Sequence, residues 1–304
     1  MDLKTNSCRL LFDVGGTFLK AVAADSAGGL IPGSEFSCPM PSDGTREAIT
    51  GALAASVARG AAFAARNGLV LAGIGIAFPG PFDYANGIPR MEHKFRSIYG
   101  LSLADLLHGL PETGPGMPVR FMHDVNAAML GEMTWGNARD AANAALVTLG
   151  TGLGFACCLG REVQYSPTGS PRLAIYNCPY RDGILEDYVS KRGFLRIYAE
   201  LAGPADPALT VADLGRMASE GDPAAKETFA EAGRILAGGI RGLLEEQKIE
   251  CLLMGGQISR SFALLEPALR EGLQGVGSLR TIAPAAHIGH AAFYGLLAQL
   301  DADR

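Results

Sequence analysis

The chain is short of positive charge. Its 26 Lys and Arg are outnumbered by 31 Asp and Glu, for a formal net charge of −5, and the isoelectric point falls near 5.6. With no basic run anywhere, a surface that neutralises nucleic-acid phosphates is not expected. Cysteine is also sparse: the six present form neither a disulfide framework nor paired metal-ligand spacing, and Cys157 and Cys158 are adjacent, which rarely closes a bridge. Reduced thiols in a cytoplasm are the simplest expectation. No secretory leader is read at the start, where MDLKTNSC is polar and the following apolar stretch is broken by Asp13 and two glycines. One uncharged run, 141–160, is long enough to span a bilayer. Its glycines at 150, 152, 154 and 160, with Asn143, Thr148 and Thr151, make a poor lipid-facing helix. We read it as two buried strands joined by a glycine turn, and expect no membrane association.

What the chain has in quantity is apolar and glycine residues. At 304 residues, 48% hydrophobic with 40 glycines, it has core material for two lobes and many tight backbone contacts. Apolar runs predict strands at 9–14, 19–24, 72–78, 118–123, 144–149, 153–159 and 250–254. Ser42 and Asp43 are placed to cap a helix reaching about Asn67, with Ile49, Leu53 and Val57 on one face and Gly68 after its end. Further helices fit 124–135, 184–202, 222–248, 260–273 and 288–300. The mixture predicts an α/β protein.

An internal echo organises these elements. LLFDVGGTFLKAVAADSAG at 10–28 and ALVTLGTGLGFACCLGREV at 145–163 each run strand, glycine-threonine turn, strand, which suggests a duplicated α/β unit with a boundary near 120. In the first turn Gly15 and Gly16 free the backbone N–H groups to approach an anion, and Thr17 adds a hydroxyl donor. Asp13 beside them would repel a bare phosphate but suits Mg²⁺ held through water. Lys20 is either further positive charge for that phosphate or a solvated surface residue. The second turn, Gly150, Thr151, Gly152, Leu153, Gly154, has the same donors and no acid. The plain alternative for each is an ordinary glycine hairpin; two at matching places favour phosphate. A third glycine pair, Gly255 and Gly256, ends a strand, with Ser259 placed to cap the helix that follows; alone it reads as a plain strand-to-helix turn, and beside the other two turns it is a place where a nucleotide's adenosine can lie on backbone. HDVNAAMLGE puts Asp124 at a strand end opening a helix. An N-cap is the default reading, but His123 and Asn126 crowd polar groups onto the same strand end, and a fixed carboxylate there suits alignment and deprotonation of an acceptor hydroxyl.

Taken together, DVGGT at 13–17, FPGPFDYANGI at 78–88, HDVNAAMLGE at 123–132, GTGLG at 150–154, DGILEDYVS at 182–190, GGQIS at 255–259 and AAHIGHAAFYGLL at 285–297 resemble, in order, the motifs of the ROK family of sugar kinases and repressors, within the actin, hexokinase and Hsp70 superfamily. The resemblance implies a two-lobed actin-like ATPase fold of duplicated ribonuclease-H-like domains around a central cleft. The lobes would be 1–120, with a closing helix at about 286–304 returning to it, and 121–285. It implies Asp124 as general base on a sugar hydroxyl, usually the 6-OH, Glu186 bonded to sugar hydroxyls, Gly80 and His123 lining the sugar pocket, and Asp13 serving Mg²⁺. ATP would be held by the glycine turns and by Gly255 and Gly256.

The departures are specific. Family members usually carry Asn where His123 stands. They also carry a Gly-Glu-Ile-Gly-His segment and a zinc-binding cysteine cluster, where this chain has REVQYSPTGSPRLAIYNCPYRDGILE at 161–186, with no His and only Cys178. Four ligands cannot be assembled from it, so no zinc is expected. Glu92, His93 or Lys94 could complete the pocket, or form a solvated loop. The leading expectation is an ATP-dependent kinase acting on a hexose or hexose derivative. The alternatives are a sugar-sensing protein without turnover, and an ATPase acting on a protein partner. Only twelve residues precede Asp13, too few for a helix-turn-helix, so DNA repression is not expected. Apolar residues on the last helices suggest a homodimer or lobe packing equally.

Overall fold

The computed structural model describes residues 6–114, 116–204 and 206–302. The chain divides into two compact units, the first Met1–Thr134 with Tyr165–Ser170 and His290–Arg304, the second Trp135–Gln164 with Pro171–Gly289.

The first unit begins with strands β1 (Ser7–Val14), β2 (Phe18–Asp25) and β3 (Phe36–Pro39). Helix α1 (Arg46–Arg66) then crosses to β4 (Val70–Ala77), and β5 (Phe82–Asp83) and β6 (Ile88–Pro89) form a small hairpin. Helix α2 (Leu103–His108), strand β7 (Val119–Met122) and helix α3 (Asp124–Thr134) follow. The sheet order is β3-β2-β1-β4-β7. Strands β1, β2 and β3 pair antiparallel, and β4 and β7 are added in parallel. Central β1 is buried along nearly its whole length, as expected of a strand covered on both faces. The cap of α1 is Thr45, whose hydroxyl accepts the Ala48 N–H at 3.2 Å, rather than Ser42 or Asp43. Ile49, Leu53 and Val57 of α1 enter the unit's core, each burial being worth about 1.5–3 kcal/mol. By length and composition alone α1 is apolar enough to cross a membrane; that core-facing stripe accounts for the leucine, isoleucine and valine it carries.

The second unit opens on β8 (Ala144–Leu149), β9 (Leu153–Leu159) and β10 (Glu162–Val163), then the hairpin β11 (Pro179–Tyr180) and β12 (Gly183–Ile184). Helices α4 (Leu185–Val189), α5 (Lys191–Ala202), α6 (Val211–Ser219) and α7 (Pro223–Glu246) lead to β13 (Cys251–Gly255), α8 (Phe262–Gly272) and β14 (Thr281–Pro284). The uncharged run 141–160 is thus the β8–β9 hairpin. The single helix expected over 184–202 is divided at Ser190, which has extended backbone. Sheet order is β10-β9-β8-β13-β14, again three antiparallel strands followed by two parallel ones. The two sheets therefore share one topology, strand for strand, which is the structural form of the repeat read in the sequence. The fold is α/β with two mixed five-stranded sheets, as an actin-like duplication requires.

The last helix, α9 (Ala291–Ala302), belongs to the first unit and packs on α3. The division between the units accordingly falls after α3. Contact is close because glycine faces backbone on both helices: a Cβ on Gly295 would land on the Ala127 carbonyl, and one on Gly131 on the Ala291 carbonyl. Fully buried Arg9 of β1 ion-pairs with Asp301 of α9 and donates to the Asp25 carbonyl at 3.1 Å. Helix α3, which carries Asp124, is thereby tied to the sheet through α9.

Candidate active site

In the first unit, the β1–β2 turn closes with the Gly15 N–H donating to the Phe18 carbonyl at 2.9 Å. A Cβ on Gly15 would meet that same oxygen at 2.9 Å, so glycine is required there. Gly16 and Thr17 give their carbonyls to the Ser42 and Met40 N–H groups, while their own N–H groups have no hydrogen-bond partner among the described residues. Asp13 and Lys20 are cross-strand partners in the β1–β2 ladder and so share a face. Burial pushes the Asp13 carboxyl up to about 6, the Asp124 charge pushes the same way, and Lys20 opposes both.

Asp124 stands on the first turn of α3 with about half its side chain exposed. Its Oδ1 accepts the Val125 N–H at 2.7 Å and lies 2.6 Å from His123 Nδ1. The carboxylate therefore does not cap the helix in the usual way, by reaching an N–H two or three residues on. Desolvation raises its pKa, but the charge and hydrogen bond of His123, the Val125 N–H and Lys94 outweigh it, and the net direction is below the ordinary carboxylate value. Gly80 packs on the same group: a Cβ there would sit 3.3 Å from His123 Cδ2 and 3.4 Å from the Tyr84 hydroxyl. Tyr84 in turn donates to the Phe78 carbonyl at 2.8 Å.

An aromatic cluster supports this corner. Phe78 packs at 4.9 Å from both Phe82 and Phe95, and Phe82 at 5.4 Å from Phe121. Phe95 holds a left-handed φ of 56°, a rare conformation for a non-glycine residue. Its buried ring and an N–H bond to the Ser42 carbonyl at 2.7 Å fix it there, and its neighbour Lys94 acts electrostatically on Asp124. Of the three loop residues considered for the pocket, Lys94 is thus brought toward Asp124, while Glu92 and His93 are exposed. Segment 165–170 docks on the same unit: Asn126 donates to the Gly169 carbonyl at 3.2 Å, and the Tyr84 N–H to Thr168 at 3.2 Å. Nothing in its sequence marks this docking, which depends on Gly169 adopting a φ of +86° against the Tyr84 side chain.

In the second unit, the Gly150 N–H closes the β8–β9 turn on the Gly152 carbonyl at 3.1 Å. A Cβ on Gly150 would meet open space, whereas one on Gly152 would come within 2.9 Å of Glu186 Oε2. Glu186 Oε2 accepts the Leu153 N–H at 2.9 Å, and its Oε1 is 3.1 Å from Arg192. Arg192 also reaches Asp187 at 2.6 Å. Glu186 is therefore tied to the glycine turn itself, a relationship that spacing along the chain could not reveal. Thr151 and Gly152 N–H groups have no hydrogen-bond partner among the described residues. At the end of β13, Gly256 takes a φ of +80° with its Cβ position blocked by Leu149 backbone. Ser259 Oγ donates to the Gly255 carbonyl at 2.6 Å, so it braces the glycine pair rather than capping α8 as the sequence suggests.

Around Cys178 the segment 161–186 is held by charge and ring contacts. Arg181 pairs with Glu231 and lies over the Tyr180 and Tyr188 rings at 5.3 and 5.5 Å, Arg196 over Tyr188 at 4.1 Å, and Tyr188 hydrogen-bonds Asp182. No group of three or more His, Cys, Asp or Glu side chains converges to hold a metal among the described residues.

The ROK family profile matches residues 10–291. The chain belongs to the ROK family. Among the ROK relatives it matches, glucokinase of Streptomyces coelicolor is 27% identical over 287 residues, spanning 85% of this chain and 84% of that enzyme. N-acetylmannosamine kinase of Escherichia fergusonii is 26% identical over 276 residues, spanning 86% and 88%. The ROK glucokinase of Streptomyces griseus, solved in complex with glucose and AMPPNP, superposes with a TM-score of 0.76 at 23% identity, covering 96% of this chain and 99% of that one. That likeness is one of fold. For Mg²⁺, the donor set of this ROK chain fits: Asp13 is a carboxylate burdened by burial and by a second carboxylate, a pairing that a divalent cation relieves.

Proposed function

We propose that the protein transfers the γ-phosphate of ATP to a hydroxyl, the 6-OH, of a hexose or hexose derivative, with Asp124 as general base. The observation that carries this reading is the carboxylate of Asp124, engaged at Oδ1 by His123 and the Val125 N–H and unengaged at Oδ2 among the described residues. A base held this way receives the acceptor proton without first reorganising, and its low pKa keeps it ionised at neutral pH. Asp13 would hold Mg²⁺ through water, and the metal would supply charge neutralisation on the phosphates. The free N–H groups of Gly16 and Thr17 are suited to phosphate oxygens, as are those of Thr151 and Gly152, with Lys20 adding charge beside Asp13. The Gly255–Gly256 strand end offers backbone to the adenosine. Gly80 and Glu186 are assigned to the sugar.

A coupled ADP-release screen with MgATP over hexoses, amino sugars and N-acetylated sugars tests the reading. Release stimulated by one sugar is expected, with Asp124→Asn lowering kcat by about 1,000-fold or more while nucleotide still binds. Release indifferent to every sugar would point to an ATPase acting on another partner. Sugar binding without any release would point to a sensor.

A further inference from the structure

The residue before Asp124 has one ring nitrogen committed to its neighbour. His123 Nδ1 lies 2.6 Å from Asp124 Oδ1. The Val125 N–H is 2.7 Å from that oxygen but 3.4 Å from Nδ1, so its proton goes to the carboxylate. Nδ1 beside an ionised oxygen must then be a donor, which puts a proton on Nδ1. The ring is clamped: its Cδ2 edge faces Gly80, Tyr84 packs on it with centroids 6.0 Å apart, and 21% of the side chain remains exposed. Two donors on one carboxylate oxygen fix the plane of the carboxyl group and leave the other oxygen for chemistry.

We propose that His123 is a positioning residue for Asp124, its Nδ1–H holding Oδ1 so that Oδ2 alone is presented to the acceptor hydroxyl. This rests on Asp124 being the general base, and it replaces the expectation that His123 binds sugar directly. The charged groups that act on Asp124 besides His123, Asp13 and Lys94, bear on its ionisation, whereas the imidazole is the one side chain hydrogen-bonded to it among the described residues.

The test uses side chains that imitate one ring nitrogen at a time. An Asn amide reaches about as far as Nδ1, and a Gln amide about as far as Nε2. With the sugar identified by the screen, His123→Asn is expected to keep kcat within about threefold. His123→Gln and His123→Ala should lower kcat by about tenfold to 100-fold, the scale expected when a reacting group is misaligned, with KM for ATP and Tm unchanged. A raised sugar KM with unaltered kcat in His123→Ala would overturn the proposal in favour of a direct sugar contact. Gln restoring activity where Asn does not would overturn it as well. Nitrogen-15 shifts of the wild-type imidazole give a readout independent of folding in the variants: Nδ1 protonated is the expected form, and a neutral ring with its proton on Nε2 sinks the idea. Should Asp124→Asn retain turnover, the general-base reading falls by itself, while the ring tautomer still decides whether His123 holds Asp124.

Discussion

Glu186 Oε2 accepts the Leu153 N–H at 2.9 Å, joining the start of α4 to the turn between β8 and β9. The resemblance assigns this residue to sugar, yet one of its oxygens supports the glycine turn and the other is 3.1 Å from Arg192. Glu186→Gln should therefore raise KM for ATP together with KM for sugar, each by about threefold to tenfold. The amide keeps one acceptor oxygen but loses the charge-assisted bonds to Leu153 and Arg192. Tm should move little, because Arg192 is 58% exposed and such pairs contribute at most about 1 kcal/mol. Steady-state kinetics with each substrate varied in turn checks this. A change confined to the sugar would show that the carboxylate has no influence on the turn.

The glycines of the candidate nucleotide site differ in how far the fold needs them. Gly256 has a left-handed φ and its Cβ position is filled by Leu149 backbone. Substitution there forces the chain to move, at a cost of about 1–3 kcal/mol or more. Gly150 has no atom within 4 Å of its Cβ position. We expect Gly150→Ala to leave Tm within about 1 °C of wild type while weakening ATP binding about tenfold or more, because the methyl group occupies the space through which phosphate would approach the backbone. Gly256→Ala should lower Tm. Calorimetry of the apo protein and titration with MgAMPPNP separate the two effects. Wild-type nucleotide affinity in Gly150→Ala would remove that turn from the phosphate site.

Much of this was legible in the sequence because the hairpins are local. Strand, glycine turn and strand occupy consecutive residues, so apolar runs and turn composition mark β1–β2 and β8–β9 directly. Asp13 and Asp124 announced themselves as acids at strand ends in apolar surroundings. Short elements were less visible: β3 and β14 carry four residues each, too few for a periodic pattern, and cap residues crowd the segment where Thr45 rather than Ser42 opens α1. Contacts made by residues distant in the chain left no local trace. The bond from Glu186 to Leu153 spans 33 positions and that from Asn126 to Gly169 spans 43. The contact of His123 was illegible for another reason: a histidine beside an aspartate is compatible with solvent, substrate or its neighbour, and only the ring's direction places Nδ1 2.6 Å from Asp124 Oδ1.

The last consequence concerns Asp13, and its sign is fixed by the direction of the shift. An unfolded aspartate titrates near 3.9, whereas burial first and the Asp124 charge second push folded Asp13 up to about 6. The folded state thus holds this proton more tightly than the unfolded state does. The penalty is complete above pH 6 and disappears as pH falls through 6 toward 4. A shift of about two pKa units corresponds to about 3 kcal/mol before solvent screening, and part of it survives in a half-buried side chain. Asp13→Asn removes the charge and keeps the shape, so in metal-free buffer it should raise Tm by several degrees at pH 8 and by clearly less at pH 4.5, where about a third of the penalty remains. The same substitution should abolish Mg²⁺-dependent turnover. In the wild type, Mg²⁺ should raise Tm more at pH 8 than at pH 5, because the proton and the metal compete for one carboxylate. Calorimetry across that range, with and without Mg²⁺, is the measurement. A stabilisation by Asp13→Asn that is equal at both pH values would mean that the gain comes from packing and that Asp13 carries no unrelieved charge.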